Sequence, residues 1–359
     1  EISACLVGSE MCIRDSENMP IVPDGNTVFN VYDSNGNAIS IKNIAVNDVL
    51  SVQRDEENES CVIYVSRRRD DGAVKETGTE KGKRYARIGD NKYIAADNVM
   101  NTLSELNKLS AGNGVTVYLN YRNKIAHVLY NYKFSDYSYG YVINTMESDS
   151  GEELLIKVYT SDGELENIEL TSKAAVNGNK VTTAAELEET LKKSNTDTSS
   201  VNQLIKFRKN SDGKVRNIDT ADYVDDANLY ADTSSFTRYR DLTDSYYHML
   251  YKAYVGYVRM AEDTLIINVP PDKSDMNDKG AYGITPFANL TSGTHKRVEI
   301  YNMSQDKTAG IAVIHSETAG GSELNSNSTA MVIKNIGEIL KDEETRTLLT
   351  VLYLSLIHI

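Results

Sequence analysis

One pattern occurs four times in this chain: an alternating apolar run, a polar turn, and a second run. The copies are Val49-Leu-Ser-Val-Gln…Cys-Val-Ile-Tyr-Val65, Val115-Thr-Val-Tyr-Leu…Lys-Ile-Ala-His-Val128, Leu204-Ile-Lys-Phe-Arg…Lys-Val-Arg-Asn-Ile218 and Val298-Glu-Ile-Tyr-Asn…Gly-Ile-Ala-Val-Ile314. Alternation at period two puts one face in a core and the other in water, as in an antiparallel hairpin. The third turn, Asn210-Ser-Asp-Gly213, supplies a glycine where the chain must adopt positive φ. The starts are 66, 89 and 94 residues apart. That spacing is too irregular for a solenoid and suits small domains with variable loops.

A second element recurs upstream, as Gly72-Ala-Val74, Gly140-Tyr-Val142 and Gly256-Tyr-Val258. Each is followed by another apolar run: Arg84–Ile88, Leu154–Tyr159 and Thr264–Val269. In two copies an amphipathic helix is expected next, around Val99, Leu103 and Leu106 and around Leu187 and Leu191. Thr183 and Glu186 fit a capping box at the start of the second helix. The order is strand, strand, strand, helix, strand, strand, which is that of a small closed barrel of OB type. The expected fold is mainly β with a few short helices, built of tandem small antiparallel β-barrel (OB-like) modules; a compact β-sandwich is the rival.

Both ends read differently. Met11-Cys-Ile-Arg-Asp-Ser16 and Leu354-Ser-Leu-Ile-His-Ile359 match translations of the two strands of the transposase mosaic end used in sequencing libraries. Residues 1–16 and 354–359 are therefore expected to be adapter-derived and are set apart from the fold. The boundaries that follow are the C-terminal part of a module over 17–67, modules over 68–133 and 134–222, and a divergent module over 223–318. A linker over 319–328 and the start of a truncated module over 329–353 complete the chain.

Setting the ends aside leaves 337 of the 359 residues and changes the net charge from −14 to −12. An acidic surface disfavours nucleic acid, whose affinity rests on Lys and Arg neutralising phosphates. It also disfavours anionic lipid. Neither nucleic acid nor membrane insertion is expected, and the tail Val351–Ile359 is too short to span a bilayer. Cys61 is then the one remaining cysteine, so an internal disulfide or a cysteine zinc site is excluded, and a small buried hydrophobe is expected.

Catalytic motifs are not found. Asp33-Ser-Asn-Gly-Asn37 opens like a calcium loop, but Ala38 and Ile44 stand where Gly and Glu are needed, so a turn is expected. Gly78-Thr-Glu-Lys-Gly-Lys83 has one residue too few between its glycines, and Arg84 replaces the metal-binding Ser or Thr of a phosphate loop. The histidines His127, His248, His295 and His315 show no metal-ligand spacing. They are expected to be ordinary strand or loop residues. Asp222, Asp225, Asp226 and Asp232 cluster between modules. Such stretches usually serve solvation, but these four are the candidates for calcium if any cofactor binds. Twenty-three tyrosines with no tryptophan point to half-buried strand faces, notably Tyr118, Tyr141, Tyr159 and Tyr257. Tyr246, Tyr247, Tyr251 and Tyr254 have the spacing of a short packing helix.

Tyr139-Gly-Tyr-Val142, Lys157-Val-Tyr-Thr-Ser-Asp-Gly163, Gln203-Leu-Ile-Lys-Phe207 and Asp212-Gly-Lys-Val-Arg-Asn-Ile-Asp219 carry a resemblance. So do Asp263–Pro270, Val298–Met303 and Ala309–Val313. These segments resemble the long non-anchor regions of S-layer-homology-domain proteins of clostridia-like Gram-positive bacteria. The resemblance implies export, an extracellular place on the cell surface or cell wall, and contact with other surface proteins or cell-wall polymer through domains beyond these modules. It implies a non-catalytic structural or interaction role, arranged as a rod, and no enzyme activity. The alternative expectation is a set of accessory glycan- or ligand-binding modules belonging to an exported enzyme.

Overall fold

The computed structural model describes residues 3–6, 28–45, 47–55, 60–100, 103–148, 153–226, 236–256, 258–271, 275–316, 330–341 and 344–353. Most of the adapter-like ends, the linker over 319–328, Asp232 and Tyr257 lie outside them. The protein is mainly β, 52% strand against 11% helix, so its cores are built chiefly on sheet faces. Among the described residues no helix is long and apolar enough to cross a membrane.

All four alternating hairpins form. In the first unit, β1 (Ser3–Leu6) pairs with β3 (Val49–Asp55), β3 pairs with β4 (Ser60–Ser66), and β2 (Val28–Asp33) runs parallel to β4. Cys61 is buried in this core with Val31, Leu50 and Ile63. The Asp33 carboxylate accepts from the backbone of Asn35 and Asn37, at 2.8 and 2.9 Å, and Gly36 has φ +85°. That is the expected turn.

The second unit holds β5 (Arg69–Glu80), β6 (Lys83–Ile88), β7 (Asn91–Ile94), α1 (Asp97–Met100), α2 (Leu103–Lys108), β8 (Gly114–Leu119) and β9 (Ile125–Tyr130). Its sheet order is β7-β6-β5-β8-β9. A single parallel bridge, Ala95 to Ile125, brings the two ends together. The glycine-containing segment at 78–83 is the β5–β6 turn, with Lys81 and Gly82 both at positive φ. Gly114 begins β8 directly beneath the backbone of Asn131, Phe134 and Ser135, where an added Cβ would collide with main-chain atoms. Main chain cannot swing aside as a side chain can. Gly114→Ala is therefore expected to cost about 1–3 kcal/mol, read by urea unfolding, because overpacking forces backbone shifts.

The third unit closes completely. It comprises β10 (Ser138–Glu147), β11 (Leu154–Thr160), β12 (Leu165–Val176), β13 (Asn179–Lys180), α3 (Ala184–Lys193), β14 (Leu204–Lys209) and β15 (Val215–Thr220). The ring runs β10-β11-β12-β15-β14 and back to β10. β12 makes closure possible. Its first half pairs with β11, and from Leu170 onward it pairs with β15, with a register break between Leu170 and Ala175. Such bends let a twisted sheet meet itself. The β12–β15 pair is parallel, so the barrel is mixed and not antiparallel throughout as expected. Thr183 caps the helix as expected, its Oγ1 accepting from Glu186 N at 3.2 Å, while the Glu186 side chain reaches one residue further back than in a standard box and accepts from Thr182 N at 2.8 Å. α3 then lays Leu187 and Leu191, both fully buried, into the barrel core.

The fourth unit is open. β16 (Asp222–Tyr223) and β17 (Thr237–Arg238) lead into β18 (Leu242–His248), β19 (Ala253–Tyr254), β20 (Val258–Arg259), β21 (Leu265–Val269), β22 (Gly283–Thr285), β23 (Gly293–Tyr301) and β24 (Ile311–His315). The order is β20-β19-β18-β23-β24-β21-β22, with β21 parallel to β24. Two expectations are corrected here. Residues 246–254 form a strand, a turn and a short strand instead of a helix, because Tyr247 and Tyr254 pair across a hairpin and pack together in the core at a tilt of 56°. Gly256-Tyr-Val258 is not equivalent to the earlier copies; Gly256 lies in a turn at φ +96°, and β18 occupies the first-strand place. One closed barrel with open sheets therefore replaces the expected tandem of closed barrels. A last hairpin joins β25 (Ala330–Lys341) to β26 (Glu344–Tyr353).

Candidate functional site: the buried joints between units

Three of the four calcium candidates, Asp222, Asp225 and Asp226, lie in the described residues. Asp222 lies exposed on β16, Asp225 is exposed near it, and Asp232 is outside the described residues. Asp226 Oδ1 accepts from Tyr239 Oη at 2.7 Å and from Lys307 Nζ at 3.0 Å. Those two donors hold its carboxyl below the usual range. Asp226 thus ties the lead-in segment to the fourth sheet. Among the described residues no group of three or more His, Cys, Asp or Glu is placed to hold a metal.

The buried polar chemistry sits elsewhere, where the units meet. Glu299 on β23 is fully buried. Its Oε1 faces His315 Nε2 at 2.9 Å and Arg297 Nη2 at 3.1 Å. Its Oε2 accepts from Tyr301 Oη at 2.5 Å and lies 3.4 Å from Arg238 Nη2. Asp241 accepts from both arginines, at 2.7 Å from Arg238 Nη2 and 3.0 Å from Arg297 Nε. Burial alone would raise the Glu299 pKa, but the His315 hydrogen bond and the two guanidinium groups outweigh it and hold it at about 2. The third unit completes the network. Asn195 Oδ1 accepts from Arg238 Nη1 at 3.3 Å, Leu204 N donates to Tyr301 Oη at 3.3 Å, and the Tyr141 ring meets His315 edge-on.

A second joint links the second and fourth units. Lys108 Nζ on α2 lies 2.8 Å from Asp263 Oδ2 and donates to Val128 O at 3.1 Å. Asp263 also accepts from Tyr130 N at 3.0 Å. Glu105 accepts from Val128 N at 2.7 Å and faces His127 Nδ1 at 3.2 Å. Burial disfavours charge on Lys108, yet Asp263 and Glu105 outweigh it and raise its pKa. Both carboxyls are lowered in spite of burial, chiefly by this lysine and His127. Tyr132 Oη reaches across to Gly310 O at 2.7 Å.

An aromatic chain connects the joints. Tyr130, Tyr132, Tyr139, Phe236 and Tyr301 follow one another with ring centroids 5.5 to 5.7 Å apart. It passes through three units and ends at the residue bonded to Glu299. On the far side, Tyr159 of β11 stacks on Tyr282 at 4.7 Å, and Lys157 and Glu164 bond to Asn277 and Lys279. The Tyr159 end of the outer face of β11 is thereby covered by the fourth unit. Tyr64 and Tyr121 stack at 4.3 Å between the first two units.

These contacts correct the expected rod. A rod confines contacts to neighbours along the chain, whereas Lys108–Asp263 and Tyr132–Gly310 skip a unit. Units two to four are clustered. Chemically, the arrangement holds opposite charges out of water at fixed distances. Sequence reading placed His127 and His315 on strands but could not find their partners, because burial of a strand's second face depends on a neighbouring unit. The chain matches no known family model, no curated protein and no solved structure.

Proposed function

We propose that the chain is a non-catalytic scaffold of OB-type modules, part of an exported cell-surface protein of the S-layer type. The ring β10-β11-β12-β15-β14, with α3 between its third and fourth strands, supports the OB reading. The second unit supports it with the same strand order, and the first and fourth with a parallel pair beside the final hairpin. In OB barrels ligands bind on the face of strands two and three. One observation carries the scaffold reading: on the third unit the Tyr159 end of that face is packed against the fourth, with Tyr159 only 3% exposed. The packed part of the face is not free for a ligand. Burying charged pairs in excellent geometry fixes one mutual arrangement more than it adds stability, which suits a part whose task is shape.

The test is to amplify the gene outward from its source DNA. An export signal and S-layer-homology repeats are expected. A cytoplasmic reading frame without an export signal overturns the proposal.

A further inference from the structure

Half of the ten large hydrophobic side chains left exposed among the described residues fall in one hairpin: Tyr246, Met249, Leu250, Tyr251 and Val255. The hairpin is also poor in charge. From Ser245 to Gly256 only Lys252 is charged, in a chain where one residue in four is. Strand alternation explains the sorting. Tyr247 and Tyr254 point into the core at 1% and 2% exposure, which turns Tyr246 and His248 outward. The turn over Met249–Lys252 is closed by Lys252 N donating to Met249 O at 3.2 Å, with Lys252 at φ +48°.

The outward rings touch one another. Tyr246 meets His248 with centroids 4.6 Å apart at 63°, and His248 meets Tyr251 at 5.6 Å and 70°. They form a corner instead of a flat plate. Edge-to-face contacts of this kind hold the rings in place before any ligand arrives. Preorganisation lowers the ordering cost of binding. Neither tyrosine hydroxyl is hydrogen-bonded to another described residue. Each ring thus offers an apolar face and an uncommitted polar tip.

We propose that Tyr246, His248 and Tyr251 form a binding site for a neutral saccharide. The ligand has to present apolar C–H faces to the rings and hydroxyls to the tips, and sugars do both. The near absence of charge argues against nucleic acid, which is held through its phosphates. A lipid surface rewards apolar side chains at the apex and has no need of ordered rings. It would engage Met249 and Leu250, so apex and corner substitutions separate the two cases. The site goes beyond the scaffold reading, and its failure leaves that reading intact, because none of these side chains enters a joint.

The test is native affinity electrophoresis of the full chain in gels containing soluble xylan, laminarin, glucomannan or hydroxyethylcellulose. At least one is expected to retard the protein. The double variant Tyr246→Ala/Tyr251→Ala is expected to bind roughly tenfold more weakly or less, from the loss of two ring contacts. Leu250→Asp is expected to bind as the parent does. All the substituted residues are exposed, and circular dichroism checks that each variant folds. No retardation by any of the four polymers overturns the proposal, as does retardation unchanged in the double variant. So does binding to phosphatidylcholine vesicles that Leu250→Asp abolishes while the gels show nothing.

Discussion

Asp263→Ala is expected to destabilise the chain by about 3–5 kcal/mol, because it leaves the Lys108 ammonium buried without its partner. The geometry leaves no easy escape. Lys108 Nζ keeps the Val128 carbonyl at 3.1 Å and lies 5.7 Å from the Tyr130 ring, and Tyr130 N loses its acceptor as well. Glu105 remains nearby and lowers the penalty without removing it. The double variant Lys108→Met/Asp263→Leu removes both charges and is expected to recover most of the loss, since apolar replacements of a buried pair are often neutral. The lysine and the aspartate belong to different units, so the loss should also loosen the second unit from the fourth. Urea unfolding reads the stability, and small-angle scattering reads the separation. A change below about 1 kcal/mol in Asp263→Ala, the range of exposed pairs, would show that this joint is solvated and not buried.

What the sequence made legible was local. The four hairpins, the helix cap at Thr183 and the order of elements in the third unit depend on residues close in the chain, and alternation or spacing records them directly. Two kinds of feature were not recorded. The parallel pairs β2–β4, β12–β15 and β21–β24 join strands far apart in sequence, and no local period marks a partner. The joints were hidden for a different reason. In Val298-Glu-Ile-Tyr301, alternation assigns Glu299 to the wet face of a strand, yet it is fully buried because the third unit covers that face. β24 is buried at all five positions for the same reason. Tyr246–Tyr254 misled in the opposite direction: ring spacing compatible with a helix arose from a tight turn that sets Tyr247 opposite Tyr254.

Acid should unfold the fourth unit in two separable steps. His295 is 3% exposed, with Nδ1 2.6 Å from Tyr254 Oη, and burial pushes its pKa down from 6.5 to about 4. The unfolded chain therefore takes up the proton first. The stability this residue confers is fully present above pH 6.5 and is lost as pH falls through 4, an amount of about 3 kcal/mol. Glu299, held at about 2 against an ordinary 4.5, acts lower. Its contribution is present above pH 4.5 and is lost as pH falls through 2, again of order 3 kcal/mol. Glu105 and Asp263 are also depressed and steepen the second step. Together the two losses, about 6 kcal/mol, reach the lower end of the stability of an ordinary domain, about 5–15 kcal/mol. The two steps have separate tests in urea midpoints measured across pH. His295→Gln should flatten the fall between pH 6.5 and 4 while leaving the lower step in place. Glu299→Gln should lower stability at neutral pH, since it leaves Arg238 and Arg297 facing an uncharged group, and should flatten the lower step. If His295→Gln tracks the parent across the upper window, the imidazole is not the group that titrates there, and its burial costs the acid form nothing.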